Sequence, residues 1–102
     1  MAGRVYIWEF RVRPDCVEEF EKHYGPTGSW ALLFRQAEGY IETLLLKDVN
    51  EPLRYVTIDR WRSEDDYRAF RSRFAPQYAE LDRRCESLTT RESELGRLVE
   101  IA

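Results

Sequence analysis

The sequence predicts a single-domain α+β protein of the ferredoxin-like plan, in which an antiparallel sheet carries its helices on one face. Two observations predict it. Strand-like and helix-like periodicities alternate along the chain in the order βαββαβ, and 102 residues suffice for one domain to bury a core. Hydrophobic residues make up 43% and charged residues 34% of the chain, a balance typical of folded globular proteins. We therefore treat residues 1–102 as one domain.

The first half of the chain predicts a strand followed by two helical stretches. Residues 4–13 are rich in β-branched and aromatic side chains and are apolar on both alternating faces near their start, as in a strand covered on both sides. Pro14 opens a helix expected to reach Tyr24, because proline suits a first turn. A second helical stretch is expected over residues 29–37, with Ser29 as its N-cap.

The second half predicts a hairpin, a helical region and a last strand. Residues 40–47 and 54–61 are strand-like and are separated by a cluster of turn-forming residues. Residues 95–101 predict the last strand, although a glycine weakens it.

The helical region between the hairpin and the last strand has its own start signal. Ser63 and Asp66 resemble a capping box, with aspartate in place of the usual glutamate or glutamine. Apolar residues then recur at helical spacing as far as Leu88, and Pro76 interrupts the pattern where a new turn can begin.

A sheet with helices on one face leaves its other face uncovered. On the central strands that face would carry Val5, Ile7, Val56 and Ile58. An apolar patch of several hundred Å² on a monomer usually marks an interface. We therefore expect a homodimer in which two sheets pack face to face across a two-fold axis.

Composition argues against several classes of partner. Sixteen basic against nineteen acidic residues leave a net charge of −3, whereas nucleic-acid binding needs a basic surplus. Two distant cysteines and one histidine do not make a transition-metal site. No apolar run approaches the ~20 residues of a membrane span, and the N-terminal residues are unlike a signal peptide. We expect a cytoplasmic protein with no nucleic-acid, membrane or metal partner.

The segment YVTIDRWRSEDDYRAFRSRF resembles the antibiotic biosynthesis monooxygenase superfamily, whose members are dimeric α+β barrels. The motif that carries the resemblance is an apolar third strand ending in Asp59-x-Trp61, followed at once by Ser63 and an aromatic-bearing helix. The order of elements is similar over nearly the whole chain. The resemblance implies a pocket between the sheet and its own helices, with Trp61 on the wall.

The resemblance also implies a set of site residues. It turns Trp8 and Trp61 inward, and strand alternation adds the neighbours of each on the same face. The expected catalytic residues are Asp59 and Trp61, and the expected substrate-binding residues are Tyr6, Trp8, Phe10, Tyr55, Thr57, Tyr67 and Phe70.

Asp59 is the most informative of these residues, because a carboxylate on a buried strand face is costly unless it is paired. It would either pair with an arginine or a helix-start N–H, or border a pocket whose apolar walls raise its pKa and suit it to proton abstraction. Trp61 has two interpretations as well, a core tryptophan or an indole donor in the pocket.

The family contains haem-degrading and quinone-forming branches. The haem-binding branch uses a histidine on the helix after the tryptophan, whereas here residues 67–71 read YRAFR. The resemblance therefore implies a monooxygenase without a cofactor, acting on a polycyclic phenol or hydroquinone, although Thr57 stands where the quinone-forming branch has an amide. The alternatives are a non-catalytic binding or stress-response dimer, and a structural dimer with a filled interior.

Overall fold

The computed structural model describes residues 2–101 and contains one four-stranded antiparallel sheet. Its strands are β1 (Arg4–Val12), β2 (Tyr40–Lys47), β3 (Arg54–Trp61) and β4 (Thr89–Val99), arranged in the order β2-β3-β1-β4. The predicted ferredoxin-like α+β fold is confirmed.

Four α-helices cover one face of this sheet. They are α1 (Val17–Tyr24), α2 (Ser29–Phe34), α3 (Glu64–Arg73) and α4 (Ala75–Cys85), and two 3₁₀ turns, Pro14–Cys16 and Glu86–Leu88, lead into α1 and out of α4. The predicted break near Pro76 is therefore a junction between two helices, with the proline in the first turn of α4. Among the described residues, no helix is long and apolar enough to cross a bilayer.

The register between the central strands decides which side chains face the helices. Tyr6 lies opposite Asp59, and Trp8 lies opposite Thr57. Alternation along β3 then turns Trp61 toward the same side, where it is fully buried. The core beneath the helices is largely aromatic, and burying each such ring contributes roughly 1.5–3 kcal/mol of transfer free energy.

The last strand begins earlier than the sequence predicts. β4 runs from Thr89 to Val99, whereas the sequence predicts residues 95–101. Thr90 and Leu95 are the extra residues at two register shifts against β1. Each shift breaks the alternation of polar and apolar positions on which the prediction of a strand depends.

The predicted N-cap of α2 is also corrected. Gly28 occupies the N-cap position, and the hydroxyl of Ser29 is hydrogen-bonded to Nδ1 of His23 at 2.7 Å. A Cβ on Gly28 would lie 2.4 Å from a backbone oxygen, so only glycine fits this tight approach.

The sheet face away from the helices is apolar in its middle. Val5, Ile7, Val56 and Ile58 are half-buried there, as the strand pattern predicts. They are joined by more exposed side chains of the edge strands, namely Leu44, Leu46 and Leu98. We call these seven side chains the apolar outer face.

Ion pairs border the apolar outer face at both ends. At one end Arg60 pairs with Glu42 (2.5 Å) and Glu100 (3.0 Å). At the other end Arg54 pairs with Glu9 and with Asp48. On this face the charged groups Glu9, Arg54 and Arg60 of the central strands are thus paired within the chain, and the band between them is apolar.

The junction between β3 and α3 provides a test of local stability. The hydroxyl of Ser63 accepts a hydrogen bond from the backbone N–H of Asp66 at 3.1 Å, whereas the Asp66 carboxylate binds Arg62 rather than completing the predicted box. We expect Ser63→Ala to lower the free energy of unfolding by about 0.5–2 kcal/mol. Ser63→Thr keeps the hydroxyl acceptor, so its free energy of unfolding should fall much less. Urea denaturation of the three proteins measures this, and equal losses for both variants would contradict it.

Candidate functional site

A cavity of about 70 Å³ lies between the sheet and the helices and opens to solvent. Strands β1, β2 and β3 form its floor, α1, α2 and α4 form its walls, and β4 borders its mouth. Six of its side chains are aromatic, three are carboxylates and two are threonines. They are Trp8, Phe10, Tyr24, Trp30, Phe34, Thr43, Thr57, Asp59, Tyr78, Asp82 and Glu92.

The volume limits what this cavity can enclose. It is less than half of the ~150 Å³ that an apolar protein cavity offers to a benzene molecule, and pockets for drug-sized ligands are usually about 300–1,000 Å³. A polycyclic ligand can therefore place only part of its surface inside, unless the walls move.

Asp59 is tied to a short chain of hydroxyl groups. Oγ1 of Thr43 donates a hydrogen bond to Oδ1 of Asp59 at 2.7 Å, and the Tyr40 hydroxyl lies 2.8 Å from the same Thr43 oxygen. Because the threonine proton is already given to Asp59, the tyrosine must be the donor to threonine. The chain therefore runs from the half-buried Tyr40 through the buried Thr43 to Asp59.

The surroundings of Asp59 favour its neutral form. No described arginine or lysine pairs with it, so the alternative of an arginine partner does not hold within residues 2–101. Burial raises the pKa of Asp59 to about 6, against the opposing effect of the Thr43 hydrogen bond. A carboxyl with this pKa exchanges a proton readily near neutral pH.

The other two carboxylates stand at the solvent side of the cavity. Asp82 on α4 and Glu92 on β4 are both exposed, and each still borders the cavity. Partial desolvation and the nearby Asp82 charge raise the pKa of Glu92. No three His, Cys, Asp or Glu side chains within residues 2–101 are grouped so that they could hold a metal ion.

The structure brings four of the predicted site residues to the cavity, namely Trp8, Phe10, Thr57 and Asp59. The other five lie outside its lining. Trp61 is enclosed by aromatic neighbours and does not border the open space, with Phe34 at 5.8 Å and Tyr40 at 5.5 Å between ring centres. Its Nε1 is buried and has no hydrogen-bond partner among the described residues.

The remaining four predicted binding residues are held in other packing contacts. Tyr6 stacks on Tyr67 with 4.2 Å between ring centres, and Phe70 packs against Trp61 at 5.2 Å. Tyr55 lies toward α1, where its hydroxyl donates to Glu21 at 2.5 Å. A direct substrate contact for these side chains stays a prediction, since none borders the cavity as it stands.

Seven lining residues were not among the predicted site residues: Tyr24, Trp30, Phe34, Thr43, Tyr78, Asp82 and Glu92. The aromatic members belong to apolar helix stripes, which the sequence indicates only as core. Thr43 could have been found from the β2–β3 register, which pairs it with Asp59. Glu92 lies in the part of β4 that the sequence does not predict as strand, so no pattern pointed to it.

The raised pKa of Asp59 predicts a particular pH dependence of stability. Because the folded value of about 6 exceeds the unfolded value of about 4, protonation favours the folded state, and this contribution is lost as the pH rises from about 4 through 6. The Asp59→Asn variant has no ionisable group at this position, so its stability does not fall for this reason as the pH rises. Relative to the unmodified protein, the variant should gain roughly 1–3 kcal/mol of unfolding free energy between about pH 4 and pH 7.5.

Denaturation curves at several pH values measure this difference. Glu38→Gln, an exposed substitution of the same charge change, is the control and should show no comparable gain. A difference between the Asp59→Asn and unmodified proteins that does not vary with pH would contradict the assignment of Asp59 as a desolvated acid.

The hydroxyl chain gives a second prediction. Thr43→Val removes the hydrogen bond that lowers the pKa of Asp59, so the pKa of Asp59 should rise further above about 6. An NMR titration of the Asp59 carboxyl carbon measures it. Thr57→Val is the matched control, because Thr57 is buried and borders the same cavity but makes no hydrogen bond to Asp59. An unchanged or lowered pKa in Thr43→Val would contradict the role of Thr43.

The profile of the family described as antibiotic biosynthesis monooxygenase matches residues 4–80. No curated protein sequence matches the chain.

The solved structures share the fold. SnoaB, a cofactor-independent oxygenase from Streptomyces nogalater, is 21% identical with a TM-score of 0.70, over 100% of this chain and 94% of that one. A protein from Bordetella bronchiseptica, whose description places it in the same family, is 18% identical with a TM-score of 0.78 over 100% of both chains. A protein from Pseudomonas aeruginosa is 16% identical with a TM-score of 0.72, over 100% and 97%. On the extent of the profile match, the chain belongs to the antibiotic biosynthesis monooxygenase family.

Proposed function

We propose that this protein is a cofactor-independent monooxygenase that oxidises a phenol or hydroquinone, part of a polycyclic compound, to a quinone. The observation that carries the proposal is Asp59, an acid with a pKa of about 6 that borders an aromatic-walled cavity and, among the described residues, has only a hydroxyl as its side-chain partner. Membership of the family and the similarity to SnoaB, described as a cofactor-independent oxygenase, support it.

In this proposal Asp59 takes the proton from the substrate hydroxyl. The electron-rich phenolate then passes one electron to O₂, and the two radicals combine at a ring carbon to give a hydroperoxide. Asp59 returns the proton to the leaving hydroxide, and loss of water leaves a carbonyl there, so that one phenol O–H, one ring C–H and one O₂ become two C=O groups and one H₂O. The protein supplies the base, orientation between aromatic walls and exclusion of water.

Of the other predicted residues, some would contact the substrate directly, and Trp61 would act through its neighbours. Trp8, Phe10 and Thr57 border the cavity and would contact the substrate directly. Trp61 would act through its neighbours, because it packs against Phe34, which borders the cavity, and against Tyr40, which begins the hydroxyl chain.

Oxygen uptake with a panel of hydroquinones tests the activity. Asp59→Asn should lower the rate about 10²–10⁴-fold, the usual contribution of a general base, and should remain folded. Glu38→Gln should keep the full rate. Uptake that Asp59→Asn leaves unchanged would remove Asp59 from the reaction, and bound hydroquinones that consume no oxygen would contradict the activity.

A non-catalytic binding protein of the same fold is the second candidate, and the small volume of the cavity favours it. Displacement of a fluorescent dye by aromatic ligands without oxygen uptake would support this candidate. The interior filled by Trp61 and its aromatic neighbours instead favours the third alternative, a structural dimer with a filled interior.

We also propose that a second copy of the chain covers the apolar outer face. Leu44, Leu46 and Leu98 are 40%, 47% and 52% exposed, and the charges that border them are paired within the chain. Two such faces related by a two-fold axis would bury each other without leaving a charged group unpaired in the interface.

Sedimentation at micromolar concentration should therefore find a homodimer. Ile58→Lys should convert it to monomer or unfold it, since it places an unpaired charge in the middle of a dry interface. Leu32→Lys is the matched control, because Leu32 is 55% exposed on α2, on the helical side, and should leave the dimer intact. A monomeric unmodified protein would contradict the proposal.

A further inference from the structure

The charge of the cavity restricts what can bind there. Of its eleven lining side chains, three are carboxylates and none is lysine, arginine or histidine. None of these carboxylates forms an ion pair with another described residue. An anionic ligand would enter against this potential, and a cationic one would be drawn in by it.

One cation contacts the cavity wall from outside, and it is engaged there. Arg71 on α3 donates a hydrogen bond to the Tyr67 hydroxyl at 3.0 Å, and its guanidinium lies 3.9 Å from the centre of the Tyr78 ring. It does not border the cavity. Even if the positive charge of Arg71 is added to the charges of the three carboxylates, the net charge around the cavity stays negative.

The walls add a second preference. Six aromatic rings border the cavity, and the negative face of an aromatic ring attracts an organic cation.

We infer that the ligand of this cavity is an aromatic phenol that carries an ammonium group, with part of its ring between the aromatic walls and its cation at the mouth beside Asp82 and Glu92. The inference rests on the proposed function in that it takes the same cavity as the substrate site. The three carboxylates are spread over floor and rim, and no described group is arranged for a metal ion, so an extended organic cation suits them better than a point charge.

The ammonium group would also ease the proposed chemistry. Forming a phenolate between carboxylates is opposed by like charge. A ligand that carries its own positive charge offsets that repulsion, because the deprotonated ligand is then neutral overall. The charge at the mouth and the base on the floor thus favour the same kind of substrate.

Three phenols of matched size test the charge preference without any turnover. Tyramine is cationic, para-ethylphenol is neutral and para-hydroxyphenylpropionate is anionic near neutral pH. Their dissociation constants are measured by calorimetry on the unmodified protein under nitrogen. Tyramine should bind roughly tenfold more tightly than para-ethylphenol, and the anion should bind most weakly. Added salt should reduce the difference.

Variants at the mouth assign the preference to its residues. The double variant Asp82→Asn/Glu92→Gln should bring tyramine to the affinity of para-ethylphenol and leave para-ethylphenol unchanged. The control Glu38→Gln/Glu86→Gln removes the same charge from exposed positions outside the cavity and should keep the tenfold preference.

Equal binding of the three phenols, or no binding of tyramine at millimolar concentration, would overturn the inference. Loss of the preference in the control double variant would overturn it too, by showing only an effect of net charge. Because the measurement needs no oxygen, its result is independent of the oxygen-uptake assay. A tyramine preference without turnover would overturn the proposed activity alone, and turnover of neutral phenols without a charge preference would overturn this inference alone.

Discussion

The rest of the structure depends on one constraint, which is that the two central strands are largely apolar on both faces in their middle. β1 and β3 lie side by side in the middle of the sheet, and between their charged ends neither face of either strand is suited to water. The four helices of this chain lie on one face only, where they enclose the aromatic core. The cavity is the part of that helical layer that is not filled, and the apolar outer face is what the helices leave uncovered.

Burying an acid in such a layer costs desolvation free energy. The hydrogen bond that reduces this cost also decides whether the acid can still exchange a proton. Asp59 lies on the core face of β3, opposite Tyr6 on β1, and receives a single hydrogen bond from Thr43. An arginine would have stabilised the charge and fixed the carboxylate as an anion. A threonine stabilises it less, and the group remains able to take up and release a proton.

Much of the fold could be predicted from local pattern, whereas the shape of the site could not. The strands around Tyr6 and Asp59 are predictable because an interior strand has a high content of β-branched and aromatic residues. The sequence predicts β4 too short because this edge strand is mostly polar and its two register shifts interrupt its pattern. Alternation predicts which face a side chain is on, so Asp59 and Trp61 were placed on the core face correctly. It does not predict whether there is open space beside them, since that depends on how helix side chains such as Phe34 and Tyr78 fill the layer.

The two register shifts of β4 also limit how the sheet can grow. An unpaired edge strand is a template on which another chain can add, and continued addition gives an open-ended fibre. Extra residues at Thr90 and Leu95 bend the strand and increase its twist. The charged residues Arg91, Glu92, Glu94 and Arg97 would have to be desolvated along the new contact. Edge-to-edge polymerisation through β4 is thereby disfavoured, so the strand that borders the cavity mouth also protects the protein against fibrous aggregation.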